Sequence, residues 1–147
     1  MKFSLRNAKI TDADAISKLS GQLGYPSDSN ITKNRLLTIL NNDGHCVFVS
    51  INQKKVIGWI HGFYSLRVES DPFVEIGGLI VERDFRNNGI ARKLVESVMN
   101  WGQERRCMKI RVRCNALRRE SHEFYKKIAF TLDKEQKIFD RQLSAKY

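Results

Sequence analysis

The sequence has little cysteine and no long hydrophobic run, and each shortage excludes a class of protein. Its three cysteines, Cys46, Cys107 and Cys114, include no Cys-x-x-Cys pair. An odd number without paired spacing argues against a disulfide framework and a zinc site, so we expect no metal. No stretch approaches the roughly 20 apolar residues that cross a bilayer, and the first six residues lack the apolar core of a secretory signal. We therefore expect a cytoplasmic protein that does not enter membranes.

Acidic residues are also few compared with basic ones. The chain has 26 Lys and Arg but only 16 Asp and Glu, which gives a formal net charge of +10 at pH 7. Such an excess favours an anionic partner: nucleic acid, an anionic surface or a phosphorylated small molecule. The length of 147 residues and the apolar share of 41% are ordinary for one globular domain. We therefore expect a single domain over residues 1–147.

Hydrophobic periodicity predicts the element order β-α-α-β-β-β-α-β-α-β, which indicates a single mixed α/β domain. A polar turn at 52–55 joins two strand patterns and predicts an antiparallel hairpin. The predicted elements are a strand at 2–7, a helix capped by Thr11, a helix at 29–41, strands at 46–51, 56–64 and 73–81, a helix opened by Gly89, a strand at 108–114, a helix at 116–128 and one or two closing strands within 130–143.

The helix after Gly89 begins in an unusual way. Its predicted apolar stripe consists of Ile90, Leu94, Val95, Val98 and Trp101, but a glycine stands where a capping side chain would serve better. Helix N-termini carry unpaired N–H groups and partial positive charge, so a bare start favours a bound phosphate. Gly89 and Ala91 would leave room for it, while Arg86 and Arg92 add charge. The alternative is that Gly89 serves only the turn and the arginines are solvated.

The preceding strand contains Gly77-Gly78 in its middle. Glycine weakens strand pairing and often marks a bulge, which would splay this strand from its neighbour and free backbone groups for an extended ligand. The alternative is tight packing under a large side chain.

These two features, in this order, resemble the GCN5-related N-acetyltransferase (GNAT) superfamily. The signature [Arg/Gln]-x-x-Gly-x-[Gly/Ala] is present as Arg86-Asn87-Asn88-Gly89-Ile90-Ala91, and "NALRRESHEFYKKIAF" (115–130) is similar to a second family region. In that family region a glycine precedes the phenylalanine, whereas this chain has Ala129 before Phe130. Alanine costs free energy there if the turn needs positive φ. "QLGYP" and "HEFYKKIAF" resemble small bacterial-type aminoglycoside N-acetyltransferases within the superfamily.

The resemblance implies a GNAT fold, which is an α/β (α+β) fold with a central mixed, mostly antiparallel sheet, a bulged, splayed central strand and flanking helices. It also implies acetyl-CoA as acetyl donor, with CoA as product. It implies that the diphosphate lies on the backbone amides of residues 87–92. It also implies that the pantetheine arm pairs with the backbone of the bulged strand. The implied cofactor-binding residues are Leu79, Ile80, Val81, Arg86, Asn87, Asn88, Gly89, Ile90, Ala91, Arg92 and Asn115.

The resemblance also implies direct transfer to a primary amine, which must first lose a proton because its pKa is about 10. Glu75 lies on the bulged strand at the spacing of a family general base, acting through a water. Tyr125 occupies the position of the tyrosine that protonates the departing thiolate. The alternatives are a solvent-facing strand glutamate and a core tyrosine.

The acceptor and partners are less defined. We expect Tyr25, Trp59 and His61 to line the acceptor site, with a small-molecule amine, an aminoglycoside-like molecule or a protein amine as acceptor. A homodimer is left open, and we expect no nucleic acid or membrane partner. Two rival functions are a basic nucleic-acid-binding module, because Lys109, Arg111 and Arg113 share one strand face, and a catalytically idle CoA-binding GNAT domain.

Overall fold

The computed structural model of the chain describes residues 1–25 and 28–145. The chain divides into two compact units, residues 1–113 and 114–147. The first unit contains β1 (Ser4–Asn7), α1 (Ala13–Gly21), α2 (Ser29–Leu40), β2 (His45–Asn52), β3 (Lys55–Arg67), β4 (Ser70–Val81), α3 (Ile90–Glu104) and β5 (Ile110–Val112), with 3-10 turns at Ile10–Asp12 and Arg83–Phe85. The second contains α4 (Arg119–Lys127).

The five strands form one sheet in the order β1-β2-β3-β4-β5. The first four are antiparallel to their neighbours, and β5 runs parallel to β4. The predicted hairpin is β2–β3, whose turn places Gln53 at φ 48 and Lys54 at φ 67. A turn with two left-handed residues suits the right-handed twist of paired strands. The predicted mixed, mostly antiparallel sheet is therefore confirmed.

The predicted bulge lies at the glycine pair of β4. His61 of β3 is opposite Gly78, whereas the next residue, Gly62, is opposite Ile76, so Gly77 is the extra residue. On its other side β4 pairs with β5 only over Val74 to Ile76. Beyond the bulge the two strands are therefore no longer joined by a ladder. The sheet has the bulged, splayed strand that the sequence predicts.

Helices cover both faces of the sheet in this unit. The apolar stripe of α3 is buried throughout, as predicted: Ile90, Leu94, Val95, Val98 and Trp101. This helix packs on the face of β3 that carries Gly58 and Gly62, because a Cβ at those positions would meet Leu94 and Val98. Residues of α1 and α2 pack on the other face, in a core that includes Val47, Val49 and Trp59. Side chains alternate between the faces of a strand, so this second face also carries His61.

The first helix does not use its predicted cap. Thr11 lies inside the 3-10 turn, and α1 starts at Ala13. The carboxylate of Asp12 instead accepts the Lys9 N–H at 2.7 Å and binds the Arg6 guanidinium at 2.7 and 2.9 Å. Asp12 thereby organises the turn from β1 into α1, a task that the prediction assigned to a threonine hydroxyl.

Differences from the predictions are larger toward the C-terminal part of the chain. The strand predicted at 108–114 is limited to β5, and α4 starts at Arg119 instead of residue 116. The closing strands predicted within 130–143 are not formed, since residues 131–145 have neither helix nor strand. The apolar side chains that suggested them, among them Ile138 and Phe139, are 79% and 88% exposed. Strand propensity alone does not form a strand, which requires a paired neighbour.

Within the described ranges, no helix is both long and apolar enough to span a membrane.

Candidate active site

The N-terminus of α3 presents unpaired backbone donors. Gly89 is its N-cap residue, at φ 80 and ψ 7, and provides no side-chain cap. The first helical hydrogen bond runs from Lys93 N–H to the Gly89 carbonyl at 3.1 Å. The N–H groups of Ile90, Ala91 and Arg92 therefore have no acceptor within the helix. A Cβ at Gly89 would have no atom within 4 Å, so positive φ, and not crowding, favours glycine there.

The loop before α3 is held by its own side chains. Asn87 has φ 64, a conformation that asparagine tolerates better than most residues. The Asn88 side-chain amide donates to the carbonyls of Phe85 and Arg86, at 3.1 and 3.2 Å. Arg86 Nε donates to the Val81 carbonyl at 3.1 Å and so ties the loop to the end of β4. The loop thus fixes the direction of the bare helix end.

The formal charges near this end are partly engaged. The Arg92 guanidinium pairs with Glu96 one turn along the helix, at 3.3 Å, and Lys93 pairs with the same carboxylate at 3.4 Å. Both contacts are exposed and contribute little to stability. The helix dipole and the backbone N–H groups therefore remain the fixed features that an anion would meet.

The backbone of β4 past the bulge divides its hydrogen-bonding groups between two sides. The Glu82 N–H donates to β3 at 2.8 Å, and the lateral direction of peptide groups alternates along a strand. The peptide groups of Ile80 accordingly face β3, whereas those of Leu79 and Val81 face the opposite side. The Val81 carbonyl there accepts the Arg86 bond. Leu79 is thus the residue with outward groups closest to the bulge.

Both glycines of the bulge lie beneath large side chains of β3. A Cβ at Gly77 would lie 2.6 Å from His61 Nδ1, and one at Gly78 would lie 2.7 Å from Trp59 Cη2. Both distances are shorter than van der Waals contact. The bulge and the packing alternative therefore both apply, because glycine leaves room for the imidazole and indole rings against the strand.

His61 forms a pair with a histidine that the sequence analysis did not single out. Its Nε2 is 2.8 Å from His45 Nδ1, with the rings stacked at 5.1 Å between centroids. Burial, followed by the nearby His45, lowers the pKa of His61 to about 4. His61 is therefore neutral at physiological pH, because burial disfavours the charged form of its ring.

Glu75 is buried on the same face of the sheet as His61, with 8% of its surface exposed. Arg113 Nε donates to its Oε2 at 3.2 Å, and an Arg67 nitrogen lies 3.9 Å from Oε1. Oε1 has no hydrogen-bond partner among the described residues. Both guanidinium groups thus lie against the carboxylate, and Oε1 keeps lone pairs that a water or an amine could use.

The remaining predicted acceptor residues in this unit differ in their surroundings. Tyr25 is 58% exposed and directly precedes residues 26–27, which lie outside the described part of the chain. Trp59 packs against the core shared by α1, α2 and β2, and its indole N–H has no partner among the described residues. Glu75, Trp59 and His61 thus share one sheet face, and Tyr25 follows the helix that covers it.

The second unit contains the other two predicted site residues. The Asn115 side-chain oxygen accepts the Leu117 N–H at 2.9 Å, which leaves its NH₂ group for other contacts. Tyr125 packs edge-on between Phe124 and Phe130, with centroids 5.0 and 5.2 Å away. Burial, together with the Cys114 thiol, raises the pKa of Tyr125 well above its ordinary value. The phenol therefore holds its proton firmly, and its transfer to a thiolate is more uphill than free-phenol values suggest.

The turn after α4 places Ala129 at φ 71. Phe130 N–H bonds to the Tyr125 carbonyl at 2.9 Å and Ala129 N–H bonds to the Lys126 carbonyl at 3.2 Å, which is the Schellman pattern of helix ends. The left-handed position normally filled by glycine is therefore retained, with alanine in it.

Metal ligands are not gathered anywhere in residues 1–25 and 28–145: no group of three or more His, Cys, Asp or Glu side chains could hold an ion.

Comparison with known proteins gives a consistent picture. Residues 14–130 match the model of the acetyltransferase (GNAT) family. The aminoglycoside N(6')-acetyltransferase type 1 of Salmonella typhimurium is 28% identical over 109 residues, which cover 70% of this chain and 74% of that protein. An uncharacterised N-acetyltransferase of Chlorobaculum tepidum is 34% identical over 93 residues, covering 63% of this chain and 55% of that protein.

Solved structures share the fold at low identity. Aminoglycoside 6'-N-acetyltransferase AAC(6')-Ih of Acinetobacter baumannii superposes with a TM-score of 0.86 at 14% identity, covering 97% of this chain and 100% of that one. AAC(6')-Iy, in complex with a bisubstrate analog of CoA and acetylneamine, gives 0.84 at 21% identity, covering 98% and 100%.

Proposed function

The chain belongs to the GNAT family of acetyltransferases, and from that premise we propose that it transfers the acetyl group of acetyl-CoA directly to the primary amine of a small molecule. One observation carries the proposal: a helix with bare N–H groups at Gly89–Arg92 directly follows a strand that is bulged and splayed at Gly77. A diphosphate and an extended arm are the two parts of CoA that such a pair of features would bind.

The diphosphate would accept hydrogen bonds from the backbone N–H groups of residues 87–92, with those of Ile90, Ala91 and Arg92 aligned with the dipole of α3. Arg86 and Asn88 act by holding the loop in place, since their side chains already bond to carbonyls of the chain. In this arrangement the two side chains orient the backbone donors of the loop.

The pantetheine arm would lie along the outward edge of β4. Leu79 offers an outward N–H and carbonyl there, whereas Ile80 is turned toward β3 and Val81 has its carbonyl bonded to Arg86. The Leu79 N–H is thus the donor that would stabilise the oxyanion formed when an amine attacks the thioester. The NH₂ group of Asn115 would bond a pantetheine amide.

Glu75 would act as general base, through a water that binds Oε1. The oxygen is buried and without a hydrogen-bond partner among the described residues, so it would gain a bond when a water or amine approaches. Arg113 fixes the carboxylate through the other oxygen. The attacking amine loses a proton toward Glu75, forms the C–N bond to the acetyl carbon, and expels the CoA thiolate.

Tyr125 would return a proton to the thiolate sulfur. This role rests on the match to the family's tyrosine position, and the raised pKa of the phenol limits its size. The competing route is direct proton transfer to the sulfur from the attacking nitrogen, which is positively charged once the C–N bond has formed.

A CoA-release assay across classes of amine tests the proposal, using a thiol reagent for detection and the Glu75→Gln variant beside the wild type. General-base removal should lower kcat by about 10²- to 10⁴-fold while leaving acetyl-CoA binding intact. Glu82→Gln is the matched control, since Glu82 follows the far end of the same strand and pairs with Lys55.

Equal turnover in wild type and Glu75→Gln would remove Glu75 from the mechanism. Binding of acetyl-CoA without turnover of any amine would favour a CoA-binding domain that is not an enzyme. Failure to bind acetyl-CoA, with DNA or RNA affinity that falls steeply with salt, would favour the nucleic-acid module instead.

A further inference from the structure

Basic side chains gather around one aromatic ring on the face of the sheet that carries Glu75. Phe73 is 1% exposed, and the charged groups of Arg67, Lys109 and Arg111 lie 5.3, 4.8 and 4.7 Å from its ring centroid. No two of these charges can be more than about 10 Å apart, which is about one Debye length at an ionic strength of about 0.1 M. The three cations thus form one group around the Phe73 ring.

Of these cations, Arg67 lies 3.9 Å from Glu75, whose other carboxylate oxygen binds Arg113 at 3.2 Å. Arg111 and Arg113 take part in further contacts, so the charges that can meet an acceptor are those of Arg67 and Lys109. Both of these side chains are exposed and face solvent.

Acidic side chains do not gather beside Glu75 to bind a cation. Glu82 lies seven residues after Glu75, about 23 Å along an extended chain. Its carboxylate pairs with Lys55 at 3.1 Å. Glu69 and Asp71 are exposed near the start of β4, close in sequence to Arg67 and Phe73, but no ion pair joins either of them to Arg67 or Lys109 in the described part of the chain. The exposed cations Arg67 and Lys109 would repel a polycationic acceptor such as an aminoglycoside, although relatives of this chain are named as aminoglycoside acetyltransferases.

We propose that the acceptor is a small amine that also carries an anionic group, a carboxylate or a phosphate, and that Arg67 and Lys109 bind this group while the amine lies at Glu75. The inference rests on the proposed function and determines its substrate class. Phe73 and Glu75 are two residues apart, about 7 Å along the strand. An acceptor of about four to six bonds between amine and anion spans that distance.

Matched acceptors that differ only in charge provide the test. An ω-amino acid is compared with its methyl amide, an amino-sugar phosphate with the free amino sugar, and both pairs with an aminoglycoside. We expect the anionic member of at least one pair to have the higher kcat/KM, by about tenfold, which corresponds to about 1.4 kcal/mol. The pair that shows the difference distinguishes carboxylate from phosphate.

The variant Lys109→Gln separates anion binding from catalysis, because Lys109 contacts Phe73 and not Glu75. We expect its KM for the anionic acceptor to rise about five- to tenfold, with kcat unchanged and with the KM of the neutral partner unchanged. Lys109→Arg should restore the wild-type KM, and Arg35→Gln, an exposed charge on α2, should leave both acceptors unaffected.

Binding of inorganic phosphate gives a readout that needs no turnover. With CoA at saturation, so that the end of α3 is occupied, the backbone amide NMR signal of Phe73 should move saturably with phosphate, and less so in Lys109→Gln. No movement, or equal movement in both proteins, would overturn the anionic acceptor.

The outcomes separate the two proposals. Neutral or polycationic acceptors with kcat/KM equal to or above that of the anionic ones would overturn this inference alone and leave an acetyltransferase. A protein that neither binds acetyl-CoA nor acetylates any amine would overturn the proposed function, and the phosphate titration would still decide whether the Phe73 surface binds anions.

Discussion

The contact between Gly78 and Trp59 allows the packing of the bulge to be tested quantitatively. In Gly78→Ala the new methyl carbon would lie 2.7 Å from Trp59 Cη2 and 2.9 Å from Cζ3. Carbon atoms pack at about 3.5–4.0 Å, so the ring or the strand must move by about 1 Å. Overpacking of this size costs about 1–3 kcal/mol, and the smaller entropy of the unfolded alanine chain offsets about 0.4–1 kcal/mol of it.

A double-mutant cycle isolates this clash from other effects of alanine. In the Trp59→Leu background the ring is gone, so Gly78→Ala should cost nothing or stabilise slightly. We therefore expect Gly78→Ala alone to lower the free energy of unfolding by about 1–2 kcal/mol, and the pair to show a coupling energy of about 1.5–3 kcal/mol. The assay is equilibrium urea denaturation of the four proteins.

Gly89→Ala is the matched control for this cycle. Its new methyl group would have no atom within 4 Å, and its cost comes from the positive φ of 80 alone. It should destabilise equally with and without Trp59. Additivity of Gly78→Ala and Trp59→Leu to within about 0.5 kcal/mol would refute the packing explanation of the glycine pair.

Three further predictions concern single groups. The pKa of His61 is lowered in the folded protein, so the unfolded chain binds this proton more readily and the free energy of unfolding should fall below pH 6.5, by up to about 1.4 kcal/mol per pH unit until about pH 4. His61→Gln should flatten that slope in urea titrations at several pH values, and an unchanged slope would contradict a lowered pKa of His61. Ala129→Gly should raise the free energy of unfolding by about 0.5–1 kcal/mol in urea titrations, because glycine takes φ 71 without strain; a loss of stability would show that the turn is not left-handed in solution. Tyr125→Phe should lower kcat by about tenfold, and the wild-type pH profile should show no loss of activity near pH 10, because the pKa of the phenol is raised; an alkaline limb there that disappears in the variant would contradict this.

Local pattern was sufficient for most of the fold. The stripe from Ile90 to Trp101 has the helical period, and all five of its predicted core residues are buried. The glycine pair correctly marked the bulge, because few other reasons bring two glycines into the middle of a strand. Sequence could not decide between a bulge and packing under a large ring, since the ring belongs to another strand. The structure shows that both apply.

Errors arose where a competing local interaction or a missing neighbour decides the outcome. Thr11 and Asp12 are both good cap residues, and the ion pair with Arg6 six positions earlier decides how that turn is built. The apolar residues after Phe130 have strand propensity, but no ladder forms there. Propensity describes a residue, whereas pairing depends on what lies beside it.

The chemistry of the candidate site was predictable only in part. Glu75 was chosen because its position on the bulged strand matches the spacing of a family general base, and that role stays a prediction. Its ion pair with Arg113 joins residues 38 positions apart, which no local pattern reveals. The alternation of Lys109, Arg111 and Arg113 was a usable signal, since it put three cations on one face of a strand. The three cations were interpreted as a possible nucleic-acid surface, because the sequence does not show that Phe73 lies beneath Lys109 and Arg111.

The central claim is that the bare amides at the start of α3 hold the diphosphate of CoA. The most direct measurement is an NMR titration of the ¹⁵N-labelled protein with CoA at low ionic strength, with pantetheine, which lacks the diphosphate, as the matched ligand. The account predicts saturable shifts that are largest at the amides of Gly89 to Arg92 with CoA and absent there with pantetheine. Saturable binding of CoA that leaves those amides unmoved would contradict it.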